Sequence, residues 1–211
     1  MTDLTARNDK PRKAKNNTER AYELLLMLDA ETIEHSFRVG DLSAEILKEY
    51  LKDNPVELDY GPDVLRLAAA LHDVGKLRVP QALLCRPGPL SEEESATVRR
   101  HPVYGQIVLK EYLKRSDPVL RRVAYEVALG HHERIDGGGY PSALKGDEIP
   151  LSAQIAGLAD CYDAVTSVRP YRTAETTDRA LRLIRSGRCG AFDEKLVSCL
   201  LAVVERQTEG R

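Results

Sequence analysis

The chain has five histidines, His35, His72, His101, His131 and His132, and most of them lie beside a carboxylate. Asp73 follows His72, Glu31 precedes His35 by one helical turn, and Asp160 adds a further acid. Imidazole and carboxylate together, with no thiolate at these places, suit hard to borderline divalent metals such as iron, manganese or zinc. The chemistry this points to is metal-dependent hydrolysis.

Each constellation has an ordinary reading beside the chemical one. Glu31 and His35 stand four apart on a predicted helix and share a face, as two ligands of one cluster would. A solvated Glu-His pair would have the same spacing. His72-Asp73 closes an apolar helix, so the pair is carried inward, where a carboxylate needs a cation or several donors. Metal is one such cation; an ion pair with Lys76, three residues on, is another. His131 and His132 are adjacent, and on a regular helix they diverge by roughly 100°. Both face one site only if it is wide or if they sit at a helix end; otherwise one is a surface histidine. Asp160 and Asp163 share a helix face, which is either a solvent face or, since the helix is otherwise apolar, a buried pair that needs positive charge nearby. Asp160 suits a ligand, and Asp163 suits orienting a water or a neighbouring histidine.

Glu31, His35, His72, Asp73, His101, His131, His132 and Asp160 are eight candidate donors. One zinc or iron takes roughly four to six, so the set fits two metals or three. Metals about 3.5–4 Å apart clamp a phosphoryl oxygen and generate hydroxide at neutral pH, which favours phosphoester hydrolysis. Arg169 and Arg172, braced by Pro170 just past the Asp160 helix, suit phosphate. Lys76 suits a phosphate contact or proton donation to a leaving group.

These residues need helices to position them. Periodic apolar residues run from Thr18 through Tyr22, Leu25, Leu26 and Leu28, then from Ile33 to Tyr50. Leu65 to Leu71 is apolar nearly all round, which predicts a buried central helix ending near Gly75. A proline-rich loop follows through Pro80, Pro87 and Pro89. Ser91 with Glu94 opens the next helix as a capping box, and Pro102 marks a helix boundary. Asp117-Pro118 caps a helix that ends at His131 and His132. Residues 136–141 form a Gly-rich loop, 151–167 a helix, and 175–186 and 193–206 the last two. With no convincing strand, the predicted class is all-α, a multi-helix bundle with its metal site in the bundle core.

Bulk properties narrow the rest. The 211 residues, 42% hydrophobic and 30% charged, suit one folded domain over 18–211, preceded by a flexible basic tail over 1–17. A net charge of −2 gives no field for polymeric nucleic acid or an anionic membrane. No apolar run reaches membrane-spanning length and the first residues carry no signal peptide, so a cytoplasmic protein is expected. Cys85, Cys161, Cys189 and Cys199 form no C-x-x-C and read as free thiols.

Taken in order, the segments Leu71-His72-Asp73-Val74-Gly75-Lys76, His101-Pro102-Val103-Tyr104-Gly105, His131 to Pro141, Ile149 to Asp160 and Ser167 to Arg172 resemble an HD-GYP domain of the HD phosphohydrolase superfamily. The resemblance runs from about Glu31 to Val204. It implies hydrolysis of cyclic di-GMP to pGpG and onward to GMP, in bacterial second-messenger signalling, with some relatives preferring cyclic GMP-AMP. It implies two or three divalent ions, iron or manganese before zinc, on His72, Asp73, His101, His131, His132 and Asp160, with Asp73 bridging. Glu31 and His35 match positions completing a three-metal site. Lys76, Arg169 and Arg172 match phosphate contacts, Asp163 an acid near the nucleophile, and Gly139-Tyr140-Pro141 the loop that names the group. That loop is linked in the family to docking on diguanylate cyclase (GGDEF) domains, and a homodimer is a further partner arrangement to consider. Cys85-Arg86-Pro87-Gly88 stands where relatives often have lysine before Pro-Gly. Many relatives carry a receiver, GAF or membrane sensor domain ahead of the catalytic one; here a short tail stands there, so such regulation is not expected unless the chain is a fragment. The competing functions are an HD-type hydrolase of a mononucleotide or (p)ppGpp, and a non-catalytic cyclic-dinucleotide-binding adaptor.

Overall fold

The structure is a computed structural model that describes residues 16–167 and 174–209. Ten α-helices make up the described residues: α1 Asn17–Leu25, α2 Ala30–Asp53, α3 Pro62–Ala70, α4 Gln81–Leu84, α5 Glu92–Val98, α6 His101–Tyr112, α7 Pro118–Gly130, α8 Leu151–Thr166, α9 Thr177–Arg185 and α10 Glu194–Glu209. Two short 3-10 turns, Val74–Arg78 and Gly146–Glu148, join them. No strand occurs among the described residues; the nearest thing is one antiparallel bridge between Asp136 and Lys145. The all-α bundle is what the sequence predicts.

The helix starts are written in local chemistry. Asp29 accepts the Thr32 amide to open α2, and Asp117 accepts those of Val119 and Leu120 to open α7 beside Pro118. Ser91 and Glu94 form a reciprocal capping box at α5. Helix α3 is the hub, packed against α2, α7 and α8, while α10 closes the far side of α2. Its alanines Ala68 and Ala69 let neighbours approach closely, and Leu65, Leu71, Val123, Val127, Ile155 and Leu158 fill the space between.

Some sequence expectations shift. In α1 the buried face is Ala21, Leu24 and Leu25, whereas Tyr22 and Leu26 stay 44% and 70% exposed. The helix is short, and the 26–29 turn leaves helical periodicity. The basic tail lies almost wholly outside the described residues, but α1 begins inside its predicted limit, at Asn17. Helix α3 ends at Ala70 rather than near Gly75, so His72 and Asp73 sit in an irregular turn. The proline-rich loop contains the one-turn helix α4. No described helix is long and apolar enough to cross a membrane.

Candidate metal centre

Five stretches of chain meet beside the buried end of α3. His35 comes from α2, His72 and Asp73 from the turn after α3, and His101 from the first residue of α6. His131 and His132 follow the end of α7, and Asp160 comes from the middle of α8. Because α7 stops at Gly130, neither of the adjacent histidines is held in a regular helix. Their ring centroids lie 4.1 Å apart, and both face the cluster. Helix α8 can pack close behind because Gly157 carries no Cβ; one there would lie 2.2 Å from the His131 carbonyl oxygen.

Among the described residues the donor atoms form two separate groups, His101 with His131 and His132, and His35 with His72 and Asp160, and a third, His72 with Asp73 and His131, overlaps both. Asp73 stands between them. Its Oδ1 lies 3.2 Å from His101 Nε2 and 4.0 Å from His131 Nε2. Its Oδ2 lies 3.2 Å from His72 Nε2 and 4.0 Å from His35 Nε2. His35 Nε2 also lies 3.2 Å from Asp160 Oδ1.

The outer ring nitrogens decide which lone pairs are free. His72 Nδ1 donates to the Ala69 carbonyl at 2.8 Å, His101 Nδ1 to Val98 at 2.9 Å, and His131 Nδ1 to Val127 at 3.0 Å. With Nδ1 carrying the proton, each ring turns its Nε2 toward the cluster. His72 Nε2 is buried with no hydrogen-bond partner, although it faces oxygens of Asp73 and Asp160. Lone pairs facing lone pairs at buried atoms repel unless a cation sits among them. These residues fit a divalent metal.

Electrostatics agree. Burial pushes down His101, His131 and His132, the last to about 3, and keeps them in the neutral, ligating form. Burial opposes charge on Asp73, yet Lys76, His72 and His101 hold it well below the usual carboxylate range. Burial likewise opposes charge on His35, but hydrogen bonds to Asp160 and Asp163 lift it to about 9. The carboxylates thus demand positive charge between them.

Asp163 takes the His35 Nδ1–H at 2.7 Å, as a histidine-orienting acid should. The same carboxylate accepts from Arg38 Nε at 2.6 Å and from its Nη2 at 3.0 Å. Burial notwithstanding, His35 and Arg38 hold Asp163 down at about 2. Arg38 escaped the sequence reading, though its place three residues after His35 on one helix face was the available signal. Asp163→Asn keeps an oxygen for His35 but loses the charge that ties down Arg38. It is expected to weaken metal affinity about 10–100-fold in a chelator competition titration; unchanged affinity would show that Asp163 orients nothing.

Glu31 is exposed in the first turn of α2 and belongs to neither donor group. Lys76 pairs with Asp73 Oδ2 at 2.5 Å and remains partly exposed. The sequence reading set a metal against a Lys76 ion pair for Asp73; the fold supplies the pair and the ligand cluster together. Tyr140 stacks on His132 with centroids 4.6 Å apart, and its amide donates to the His132 carbonyl at 3.2 Å. Gly139 is wedged there, since a Cβ would lie 2.4 Å from the Glu133 Cα. Glu133, also missed, is buried and accepts the amides of Ser142 and Leu144, which pins the loop. Arg169 and Arg172 lie outside the described residues.

Sequence and fold comparisons supply the family. A chain from Xanthomonas campestris named cyclic di-GMP phosphodiesterase response regulator RpfG is 43% identical over 138 residues, which is 65% of this chain and 35% of that one. A cyclic di-GMP phosphodiesterase from Thermotoga maritima is 36% identical over 89% of this chain and 50% of its own length. The chain therefore spans a third to a half of these curated relatives. Among solved structures, Bd1817, an HDG"Y"P protein from Bdellovibrio bacteriovorus, superposes with a TM-score of 0.62 at 20% identity, covering 90% of this chain and 55% of that one. At that identity the likeness concerns the fold. The family profile described as HD domain matches residues 8–196, and the chain belongs to the HD domain family.

Proposed function

We propose that the chain is a metal-dependent phosphodiesterase that opens cyclic di-GMP to linear pGpG. The observation that carries the reading is the convergence of two three-ligand groups on the two oxygens of one carboxylate, Asp73. This suits two divalent ions sharing Asp73, one on His35, His72 and Asp160 and the other on His101, His131 and His132. Glu31, outside both groups, favours two ions over three. Iron or manganese fits the nitrogen-oxygen donor set, with zinc as competitor. Bound ions of this kind polarise a phosphoryl oxygen and lower the pKa of water toward neutrality.

The chain's own groups do the rest. Asp163 and Arg38 fix the His35 ring from outside. Lys76, at the partly exposed edge of Asp73, supplies a cation for a phosphate oxygen or a proton for the departing 3′-oxygen. Gly139 and Tyr140 form the wall beside His132. Arg169 and Arg172 follow α8 in sequence and suit the equatorial phosphate charge. The substrate class rests on the names of the relatives, read together with this pocket.

Protein loaded with manganese, or with iron under anaerobic conditions, is expected to bind about two ions per chain and convert cyclic di-GMP to pGpG. Chelation is expected to abolish turnover and lower the melting temperature, because bound metal stabilises only the folded chain. A panel containing cyclic GMP-AMP, GMP and ppGpp assigns the substrate. Preference for a mononucleotide or ppGpp overturns the cyclic-dinucleotide reading, and tight nucleotide binding without product makes the chain a binding module.

A further inference from the structure

Arg99 lies at the end of α5, two residues before the ligand His101. Its guanidinium carbon sits 4.3 Å from the centre of the Tyr140 ring. The same ring is stacked on His132, with centroids 4.6 Å apart. Arg99, Tyr140 and His132 therefore form one continuous stack that leads out of the metal centre to the surface.

The stack leaves a particular chemistry unused. A guanidinium held over an aromatic ring still has N–H donors in a rigid fork to offer. Among the described residues no carboxylate forms an ion pair with Arg99, whereas nearby Arg86 is paired with Glu94. Arg99 is exposed, so its charge is open to a ligand approaching the centre. An immobilised fork of this kind matches a phosphate bidentately. Arg99 meets the donor cluster only through Tyr140, which stands beside His132. That placement, one ring removed from the donors and exposed, suits a phosphate other than the one under attack.

We infer that Arg99 is a specificity-determining residue that holds the second, non-scissile phosphate of a two-phosphate substrate, with Tyr140 fixing its guanidinium. This rests on the phosphodiesterase reading above and sharpens it: a cyclic dinucleotide carries a second phosphate across its ring, and a simple diester does not. No bond changes at Arg99; the contact is ionic and bidentate.

The test compares cyclic di-GMP with bis(4-nitrophenyl) phosphate, a diester with one phosphate, on metal-loaded wild type, Arg99→Ala and Arg99→Lys. Losing a charged bidentate contact is worth roughly 10–100-fold. The ratio of kcat/KM for cyclic di-GMP to that for the simple ester is expected to fall by about that factor in Arg99→Ala, mostly through KM. Arg99→Lys is expected to recover only part, since an ammonium lacks the fork. Calorimetric binding of a phosphorothioate cyclic di-GMP analogue is expected to weaken in parallel, with less salt dependence. Equal losses on both substrates, or lower metal content in Arg99→Ala, would make Arg99 a mere prop for Tyr140 and His132 and overturn the inference; so would an unchanged ratio. Wild type that cleaves the simple ester but no cyclic dinucleotide sinks the substrate reading itself, and the Arg99 role falls with it. Cleavage of cyclic di-GMP with an unchanged ratio sinks the Arg99 role alone.

Discussion

Asp73→Asn is expected to cost at least about 10³-fold in turnover and to halve or abolish the metal content, with helical structure retained. The argument is geometric. Oδ1 of Asp73 serves the His101 side of the centre and Oδ2 the His72 side, each at 3.2 Å. An amide of the same size keeps one carbonyl oxygen and puts an NH₂ where the other stood. An NH₂ group cannot ligate a metal, and it donates toward imidazole nitrogens that already present lone pairs. The two donor groups then have no shared anion, and Lys76 loses its ion-pair partner. Metal analysis, phosphodiesterase assay and circular dichroism on one preparation separate these effects. A variant that keeps its full metal complement would show that Asp73 is not the common ligand, and the two-ion arrangement would fail with it.

The sequence already contained most of what this variant tests, and the reason is instructive. Histidine is uncommon and chemically committed, so five histidines flanked by acids announce a centre even before their spatial relation is known. Helix starts were equally plain, because Asp117-Pro118 and Ser91 with Glu94 satisfy backbone donors locally and need no tertiary partner. What the sequence left open was decided by distant contacts. The 100° divergence of His131 and His132 disappears because α7 ends just before them. The i, i+4 spacing puts Glu31 on the face of His35, but it says nothing of depth, and one turn along the axis moves Glu31 out to solvent. Glu133 was hidden by its depth, and Arg38 showed its place beside His35 but not its partner Asp163. Their roles come from partners 125 residues away in one case and across a loop in the other. A charged residue in a sequence gives no sign that it will be buried.

Gly75 shows the same limit most sharply, and Gly75→Ala is expected to destabilise the fold by more than about 3 kcal/mol. In sequence Gly75 reads as the residue that stops α3. In the fold α3 has already ended at Ala70, and Gly75 lies in the 3-10 turn that presents His72, Asp73 and Lys76. That turn is pressed onto the first turns of α6. A Cβ on Gly75 would lie 1.9 Å from the His101 carbonyl oxygen and 2.4 Å from the Gly105 amide nitrogen. Both obstacles are helix backbone, which has no rotamer to yield. Relief requires the turn and α6 to part, and that pulls Asp73 away from His101, the pair whose closeness defines one side of the centre. Stability and metal affinity are therefore expected to fall together, read from urea melts of the metal-free protein and from chelator competition. Gly61→Ser is the matched control. That glycine caps α3 with extended backbone and has nothing within 4 Å of a would-be Cβ, so serine there is neutral or stabilising. A Gly75→Ala protein that loses less than about 1 kcal/mol and keeps its metals would mean that the turn and α6 have slack between them. The centre would then owe its geometry to the ligands themselves rather than to the close seat of one helix on one turn.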